Sequence, residues 1–331
     1  MSAKPLKLST TVNQQIALLR SRGLDVDEDL ARQWLANVSY YRLSAYWYPA
    51  REFGADNQRS DRFVPGTSFA DVVSLYEADR KLRTLVHDGM ERVEITLRTR
   101  IGEILCVSDS LEYMNPGRFR QTFNHAQWMR VARKRIERAG RNNEAIRQYR
   151  EEYEGRYPFW VLAEVLDFVD ISRLFEGLFT NDQRLIAEQL GFSLKMDALS
   201  KNQQRKAKSL SPLVRWLEQL TIIRNTCAHH GRLWNKSFAP APTAALKTRS
   251  QFAQLPESQS ERVFGALLVM AQILRVASPG TTWPEKVANL IDNVFVPHPL
   301  VATSAIGLPD THQFSSILAG DSWHSISSRH H

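Results

Sequence analysis

The stretch whose residue types and spacing can do chemistry runs from Leu213 to Lys236: Leu-Val-Arg-Trp-Leu-Glu-Gln-Leu-Thr-Ile-Ile-Arg-Asn-Thr-Cys-Ala-His-His-Gly-Arg-Leu-Trp-Asn-Lys. A helix turns by about 100° per residue, which puts Leu213, Leu217, Leu220 and Cys227 on one apolar stripe. Arg224 falls on the same stripe, four residues after Leu220 and three before Cys227. A guanidinium facing a core is costly unless it is paired. Arg224 is therefore expected to meet a carboxylate on a neighbouring helix or an anionic ligand. On another face Glu218, Asn225 and His229 align within about 40°. Asn225 and His229 are four apart, so the amide can reach and orient the imidazole. Imidazole gives and takes a proton near neutral pH, which makes an oriented His229 a general acid or base. Arg224 and His229 are five apart, about 140° around an ideal helix. Bringing both to one anionic group requires local unwinding, long side-chain reach or a two-fold partner.

The elements that must position these residues read as helical almost throughout. Short helices are expected over about 12–20, with Thr10 or Thr11 as cap and Gly23 as stop, and over about 28–38, capped by Asp25 or Asp27. An aromatic cluster follows, Tyr40-Tyr41-Arg42 with Tyr46-Trp47-Tyr48, and residues 50–67 read as a loop. Packing of those rings on the helical core is the stronger reading of the cluster, and base stacking the weaker one. Ser68 and Asp71 form a capping-box pattern at the start of a long helix over about 69–106. Its apolar stripe is Leu82, Leu85, Val86, Met90, Val93, Leu97, Ile101 and Ile104. Asp79, Arg83, His87 and Glu91 recur every four residues along it, which reads as a solvated ladder of ion pairs. Residues 107–126 look irregular. One helix is expected from Phe159 to about Leu178, a shorter one ending near Gly191, and one starting near Pro212. After a linker beginning at Pro240 and Pro242, helices are expected over about 261–276 and 283–294, and the last 35 or so residues carry no periodicity.

The 331 residues carry 43 Lys and Arg against 35 Asp and Glu, a net charge of +8. Hydrophobic residues make up 43%, enough for a large core, which excludes disorder for most of the chain. Two cysteines, Cys106 and Cys227, are too few for a disulfide framework. No run of about 18 apolar residues is present, so no membrane span is expected and the chain reads as cytoplasmic. The excess charge favours a polyanionic partner, nucleic acid before membrane. It concentrates in two runs. The first holds Arg130, Arg133, Lys134, Arg135, Arg138, Arg141, Arg147 and Arg150, and the second holds Lys195, Lys201, Arg205, Lys206 and Lys208. Each reads either as a solvated face or as an RNA contact.

The segment Arg224-Asn225-Thr226-Cys227-Ala228-His229 resembles the Arg-Asn-x-x-x-His motif of HEPN-superfamily ribonucleases. The likeness extends along residues 4–237. Lys4-Pro5-Leu6, Ser39-Tyr40-Tyr41-Arg42-Leu43, Leu75-Tyr76-Glu77-Ala78-Asp79-Arg80, Glu91-Arg92-Val93-Glu94-Ile95, Pro158-Phe159-Trp160 and Cys227-Ala228-His229-His230-Gly231-Arg232-Leu233-Trp234-Asn235 resemble, in the same order, the abortive-infection family of the AbiD/AbiF type. That resemblance implies an all-α chain. Taken with the periodicity, it divides the chain into an N-terminal helical and aromatic region (1–66), a HEPN-type helical bundle (67–240) and a C-terminal helical extension with a poorly ordered tail (241–331), which lies outside the resemblance. The resemblance implies a phage-defence endoribonuclease toxin that cleaves RNA without metal or cofactor. Arg224, Asn225 and His229 would act at a composite site completed in a homodimer. It also implies an acidic residue on the preceding core helix, for which Glu91 and Glu94 are the candidates. His230 is a candidate for support or RNA contact. Kinship with the RNA-guided effectors of type VI CRISPR systems implies a companion small non-coding RNA as a partner. The runner-up reading is a non-catalytic RNA-binding protein, associated with a small RNA, in which Arg224 and His229 hold RNA or a helix contact. A third is a partner-binding protein that antagonises a toxin. Adjacent His229 and His230 make no zinc site, because ligands on a helix sit four apart and no Cys pair or carboxylate joins them.

Overall fold

The structure, a computed structural model, describes residues 8–54, 56–253, 255, 260–309 and 314–315. Among the described residues the chain is all-α apart from one hairpin, in the order α1 (Val12–Ser21), α2 (Glu28–Val38), α3 (Tyr40–Trp47), β1 (Arg51–Phe53), β2 (Arg59–Phe63), α4 (Phe69–Leu105), α5 (His125–Ala139), α6 (Glu144–Glu152), α7 (Phe159–Val165), α8 (Phe168–Gly177), α9 (Thr180–Gln189), α10 (Lys201–Ser209), α11 (Leu213–Ala228), α12 (Val263–Ala277), α13 (Trp283–Leu290) and α14 (Thr303–Ile306). The Lys4-Pro5-Leu6 segment and most of the tail lie outside the described residues. Among the described residues no helix is long and apolar enough to cross a membrane. By internal contacts the chain forms two compact units. One ends at Leu82 and takes back Leu290–Ala302; the other spans Arg83–Asn289 and resumes at Thr303.

In the first unit the caps do what their residue types allow. Thr11 and Gln14 close a capping box on α1, Gly23 turns the chain at a φ of 88°, and Asp27 accepts the Leu30 N–H to start α2. Ser68 and Asp71 cap α4 reciprocally, at 3.0 Å and 3.2 Å. Of the aromatic cluster, Tyr46 and Trp47 are buried while Tyr41 and Tyr48 are exposed. The loop expected over 50–67 is instead a short antiparallel hairpin, pairing Arg51 with Phe63 and Phe53 with Arg59 across an irregularity. Its residues lack apolar alternation. It is held by main-chain bonds, by Arg59 lying over the Phe53 ring at 4.0 Å and by the Arg51–Asp61 ion pair. Asp79 departs from the solvated-ladder expectation too: it is fully buried, and Tyr46 donates to its Oδ2 at 2.7 Å. Spacing of four fixes a shared helix face, but not whether that face is covered.

A buried imidazole gives this unit a pH response. His298 is 8% exposed. Its Nδ1 accepts the Leu300 N–H at 3.1 Å, and its Nε2 lies 3.1 Å from the Asp71 carbonyl and 2.8 Å from Ser74 Oγ. These partners suit the neutral ring with its proton on Nε2. Burial pushes the His298 pKa below its usual value, against the opposing pull of the Asp71 carbonyl. The unfolded chain then binds the proton more readily, so this contribution to stability is complete above the unfolded pKa of about 6.5 and is lost as pH falls through the lower folded value. The drop in melting temperature from neutral to about pH 5 is expected to be smaller in His298→Gln than in the parent. An equal drop would remove His298 from the account.

The second unit is built around α12, whose residues Val263–Leu274 are all buried, so the helix is enclosed on every side. Against it pack the apolar faces of α4 and α11. On α4 the stripe residues Val86, Met90, Val93, Leu97 and Ile101 are at most 1% exposed. Burying each such side chain contributes about 1.5–3 kcal/mol. Gly89 lets α4 approach closely: a Cβ there would lie 2.7 Å from Met270 Cε and 2.8 Å from the Trp283 ring. Trp283 completes the contact by donating Nε1–H to the Leu85 carbonyl at 2.7 Å. The single helix expected over 159–178 is two. Leu166 is extended, at φ −75° and ψ 141°, and Asp167 starts α8 in a capping box with Asp170. That acidic pair ends the first helix and begins the second.

Candidate active site at a helix end

Glu94 on α4 is the carboxylate that meets Arg224. Arg224 donates Nε–H to Glu94 Oε1 at 3.2 Å. The other carboxylate oxygen lies 3.6 Å from Arg98 Nη2, one turn further along α4. Arg98 also donates to the Leu166 carbonyl at 2.9 Å, a group made available by the α7–α8 break. The Glu94 side chain is 13% exposed, Arg98 16% and Arg224 36%. A shielded carboxylate thus sits between two guanidiniums, leaving one positive charge in excess. The Arg224 contact uses Nε, so its two terminal amino groups remain for an anion. Glu91, three residues earlier on α4, is exposed and takes no part in this pair.

The helix that carries Arg224 stops just before the histidines. Its last residue is Ala228, and His229 follows at φ −93° and ψ 15°. His230 has a φ of 55°, in the left-handed region. The closing bonds run from the His230 N–H to the Cys227 carbonyl at 2.9 Å and from the Gly231 N–H to the Thr226 carbonyl at 2.8 Å. This is the Schellman closure, with a histidine at the position that glycine usually fills. The following turn is tied down twice. Lys236 donates to Thr226 Oγ1 at 3.1 Å, and Arg83 on α4 makes a long bond, 3.5 Å, to the Gly231 carbonyl. Gly231 itself leaves little room, since a Cβ there would lie 2.9 Å from Thr226 Cγ2.

The helix ends at Ala228, but the His229 N–H still bonds the Asn225 carbonyl in helical register, so the wide angle expected between Arg224 and His229 remains. The contact between Asn225 and His229 differs from the one expected. It is the His229 N–H on the Asn225 carbonyl, at 3.1 Å, so the main chain and not the amide side chain fixes the residue. Asn225, His229 and His230 are all exposed. Sequence reasoning missed Arg98 and the Leu166 carbonyl. The signal for Arg98 was its place four residues after Glu94; nothing local marks the carbonyl.

A non-glycine residue in the left-handed region costs about 1 kcal/mol. His230→Gly is therefore expected to raise the melting temperature by about 2–4 °C. If the imidazole also contacts substrate, the same variant loses RNA affinity or turnover while gaining stability. A variant that is no more stable than the parent would show that the strain is relieved elsewhere.

The basic runs lie mainly on α5 and α10. Arg130, Arg133, Lys134 and Arg138 on α5, and Arg141 just after it, are exposed, as are Lys201, Arg205 and Lys206 on α10. Arg130 bonds Gln127 on its own helix at 3.0 Å. Arg135 is already engaged, 2.8 Å from Asp170 and 2.7 Å from Asp167, and Arg138 reaches Asp167 at 2.9 Å. The cations on α5 that remain available for a polyanion are therefore chiefly Arg133, Lys134 and Arg130. The structure brings Arg224, Glu94, Arg98 and the end of α11 together; it shows no contact of the α5 and α10 cations with that group.

A model of the Abi-like protein family matches residues 33–235. The chain belongs to that abortive-infection family. The Abi-like region holds Glu94, Arg98, Arg224, Asn225, His229 and His230, together with both basic helices, and it ends before α12. No curated protein and no solved structure matches the chain.

Proposed function

We propose that this Abi-like protein is a metal-independent endoribonuclease of phage defence, of the HEPN type. The observation that carries the proposal is the arginine set by a shielded carboxylate one turn before a helix end that presents His229. RNA supplies its own nucleophile, the 2′-hydroxyl, so no metal-bound water is needed. His229 takes the 2′-hydroxyl proton as the 2′-oxygen attacks the adjacent phosphorus. The bond from phosphorus to the 5′-oxygen breaks, and that oxygen takes a proton from His229 of the partner subunit. Arg224, held by Glu94 through Nε, uses its terminal amino groups on the phosphate and stabilises the charge gained in the transition state. Two copies are invoked because each chain has one such motif and the chemistry uses both a base and an acid. The exposed cations of α5 and α10 hold the RNA backbone, and a companion small non-coding RNA is a candidate second partner.

The shielded Glu94–Arg224 pair also favours a second reading, in which the site only binds RNA and the arginine is structural. The deciding experiment incubates the purified protein with a defined single-stranded RNA and identifies the ends. The expected products carry a 2′,3′-cyclic phosphate and a 5′-hydroxyl, and a 2′-deoxy residue at the scissile position blocks the reaction. Products with 3′-hydroxyl and 5′-phosphate ends would sink the mechanism, and uncleaved but bound RNA would support the second reading.

A further inference from the structure

A cavity of about 520 Å³ opens beside the first turn of α11, well away from the histidines. Its walls include Arg120, Phe123, Trp128, Val131, Arg173 and Arg215. Arg173 and Arg215 are balanced by Glu176 and Glu218, at 2.8 Å for Arg173–Glu176 and 2.6 Å for Arg215–Glu218. Trp128 is fixed by its bond from Nε1–H to the Asp170 carbonyl, at 2.9 Å. Arg120 differs from these neighbours. It is half-buried, and among the described residues its guanidinium has no hydrogen-bond or carboxylate partner; the bond it makes is from its main-chain N–H to the Gly177 carbonyl, at 2.9 Å. A half-buried cation without a partner, on the wall of a cavity with aromatic side chains, suits a ligand that is anionic at one end and flat at the other. A nucleotide has that chemistry: phosphate for the arginine, base for the rings.

The cavity is joined to the candidate active site by a seam between α8 and α11. Arg215 lies 3.5 Å from Glu176, and Arg173 lies 4.0 Å from Glu218, so the two helices run antiparallel. Continuing that register by one turn places Val169 beside Ile222, and both are exposed. Just before α8 the extended Leu166 offers its carbonyl to Arg98, which shares Glu94 with Arg224 on α11. From Arg215 to His229 is fourteen residues, about 21 Å along a helix axis, the span of several nucleotides.

We propose that the cavity is a nucleotide subsite for the RNA strand on which the end of α11 acts, with Arg120 on a phosphate and Phe123 against a base. This rests on the RNA reading above, but it is tested by binding, so it stands or falls separately from cleavage. The test uses the full-length His229→Ala protein and fluorescein-labelled single-stranded RNAs of four and ten nucleotides. The ten-mer is expected to bind at least tenfold more tightly than the tetramer. Arg120→Ala, and Val131→Trp, which fills the cavity, should each remove that advantage and leave the tetramer's affinity as it was. Thermal melts confirm folding, and Arg120→Ala carries the test if the larger side chain does not fold. Equal affinities for the two lengths, or a ten-mer affinity unchanged in Arg120→Ala, would overturn the subsite. Uridine or adenosine 5′-monophosphate is expected to compete with the ten-mer; a monophosphate that binds without displacing RNA would mean that the cavity holds a free nucleotide, and would also overturn it. If the parent protein cleaves nothing yet Arg120→Ala weakens the ten-mer, the nuclease reading fails and the subsite stands.

Discussion

His229→Ala is expected to lower RNA cleavage by about 10²–10⁴-fold, the usual contribution of a placed general acid or base. The side chain is exposed and closes no core contact, so the melting temperature should stay close to the parent's. RNA affinity should survive, because the exposed cations on α5 and α10 are untouched. Arg224→Ala is expected to cost about 10²–10³-fold, since a donor aimed at developing charge is lost. Arg224→Lys should recover little, because an ammonium cannot bond Glu94 and a phosphate with the same fork of donors. A gel assay on one RNA, with filter binding alongside, reads both quantities. Full cleavage by both alanine variants would remove these residues from the chemistry and end the ribonuclease proposal. Loss of cleavage with binding intact would end the binding-only reading.

Glu94→Ala is expected to have the largest effect on stability among the site residues. It strips one shielded carboxylate from two guanidiniums, Arg224 at 3.2 Å and Arg98 at 3.6 Å. Breaking a buried pair costs more than the pair contributes, because the charge left behind stays poorly solvated. Arg224 can turn toward water and Arg98 much less, so a loss of about 2–3 kcal/mol is expected, below that of a fully buried pair. In a protein of this size that is a fall of roughly 5–10 °C in melting temperature. Glu94→Gln keeps the shape and an acceptor and should lose less. Adding Arg224→Ala to Glu94→Ala should restore part of the loss, and the non-additivity measures the coupling. Strict additivity would show that the contact between the helices carries no energy. Glu94→Gln should also slow cleavage, because Arg224 then lacks its anchor.

The long helix and the chemical helix were legible because each has a periodic apolar stripe with a capping signal nearby. Ser68 and Asp71 announce α4, and Pro212 precedes α11. What spacing leaves open is rotational phase between helices. Glu91 and Glu94 are less than a turn apart, and only the way α4 lies against α11 decides that Glu94 meets Arg224. Burial of Asp79 is the same kind of fact, set by the Tyr46 hydroxyl from another helix. The hairpin over residues 51–63 was missed because its charged residues mask the strand pattern, leaving Phe53 and Phe63 as its apolar side chains. The split between α7 and α8 was written in Asp167 and Asp170, but the apolar periodicity on either side hid the pattern. The Leu166 carbonyl is a main-chain group, and its role depends on a break that no side chain at that position reveals.

The closure of α11 also limits how this sequence can drift. Position 230 needs a residue that tolerates a left-handed backbone, and position 231 has no space for a side chain against Thr226. At 230 that leaves chiefly Gly, Asn, Asp and His, and a β-branched replacement would fray the last turn even without touching RNA. Substitutions there reach Arg224 and His229 through the chain itself, so the histidine pair is confined by backbone geometry as much as by any selection for its chemistry.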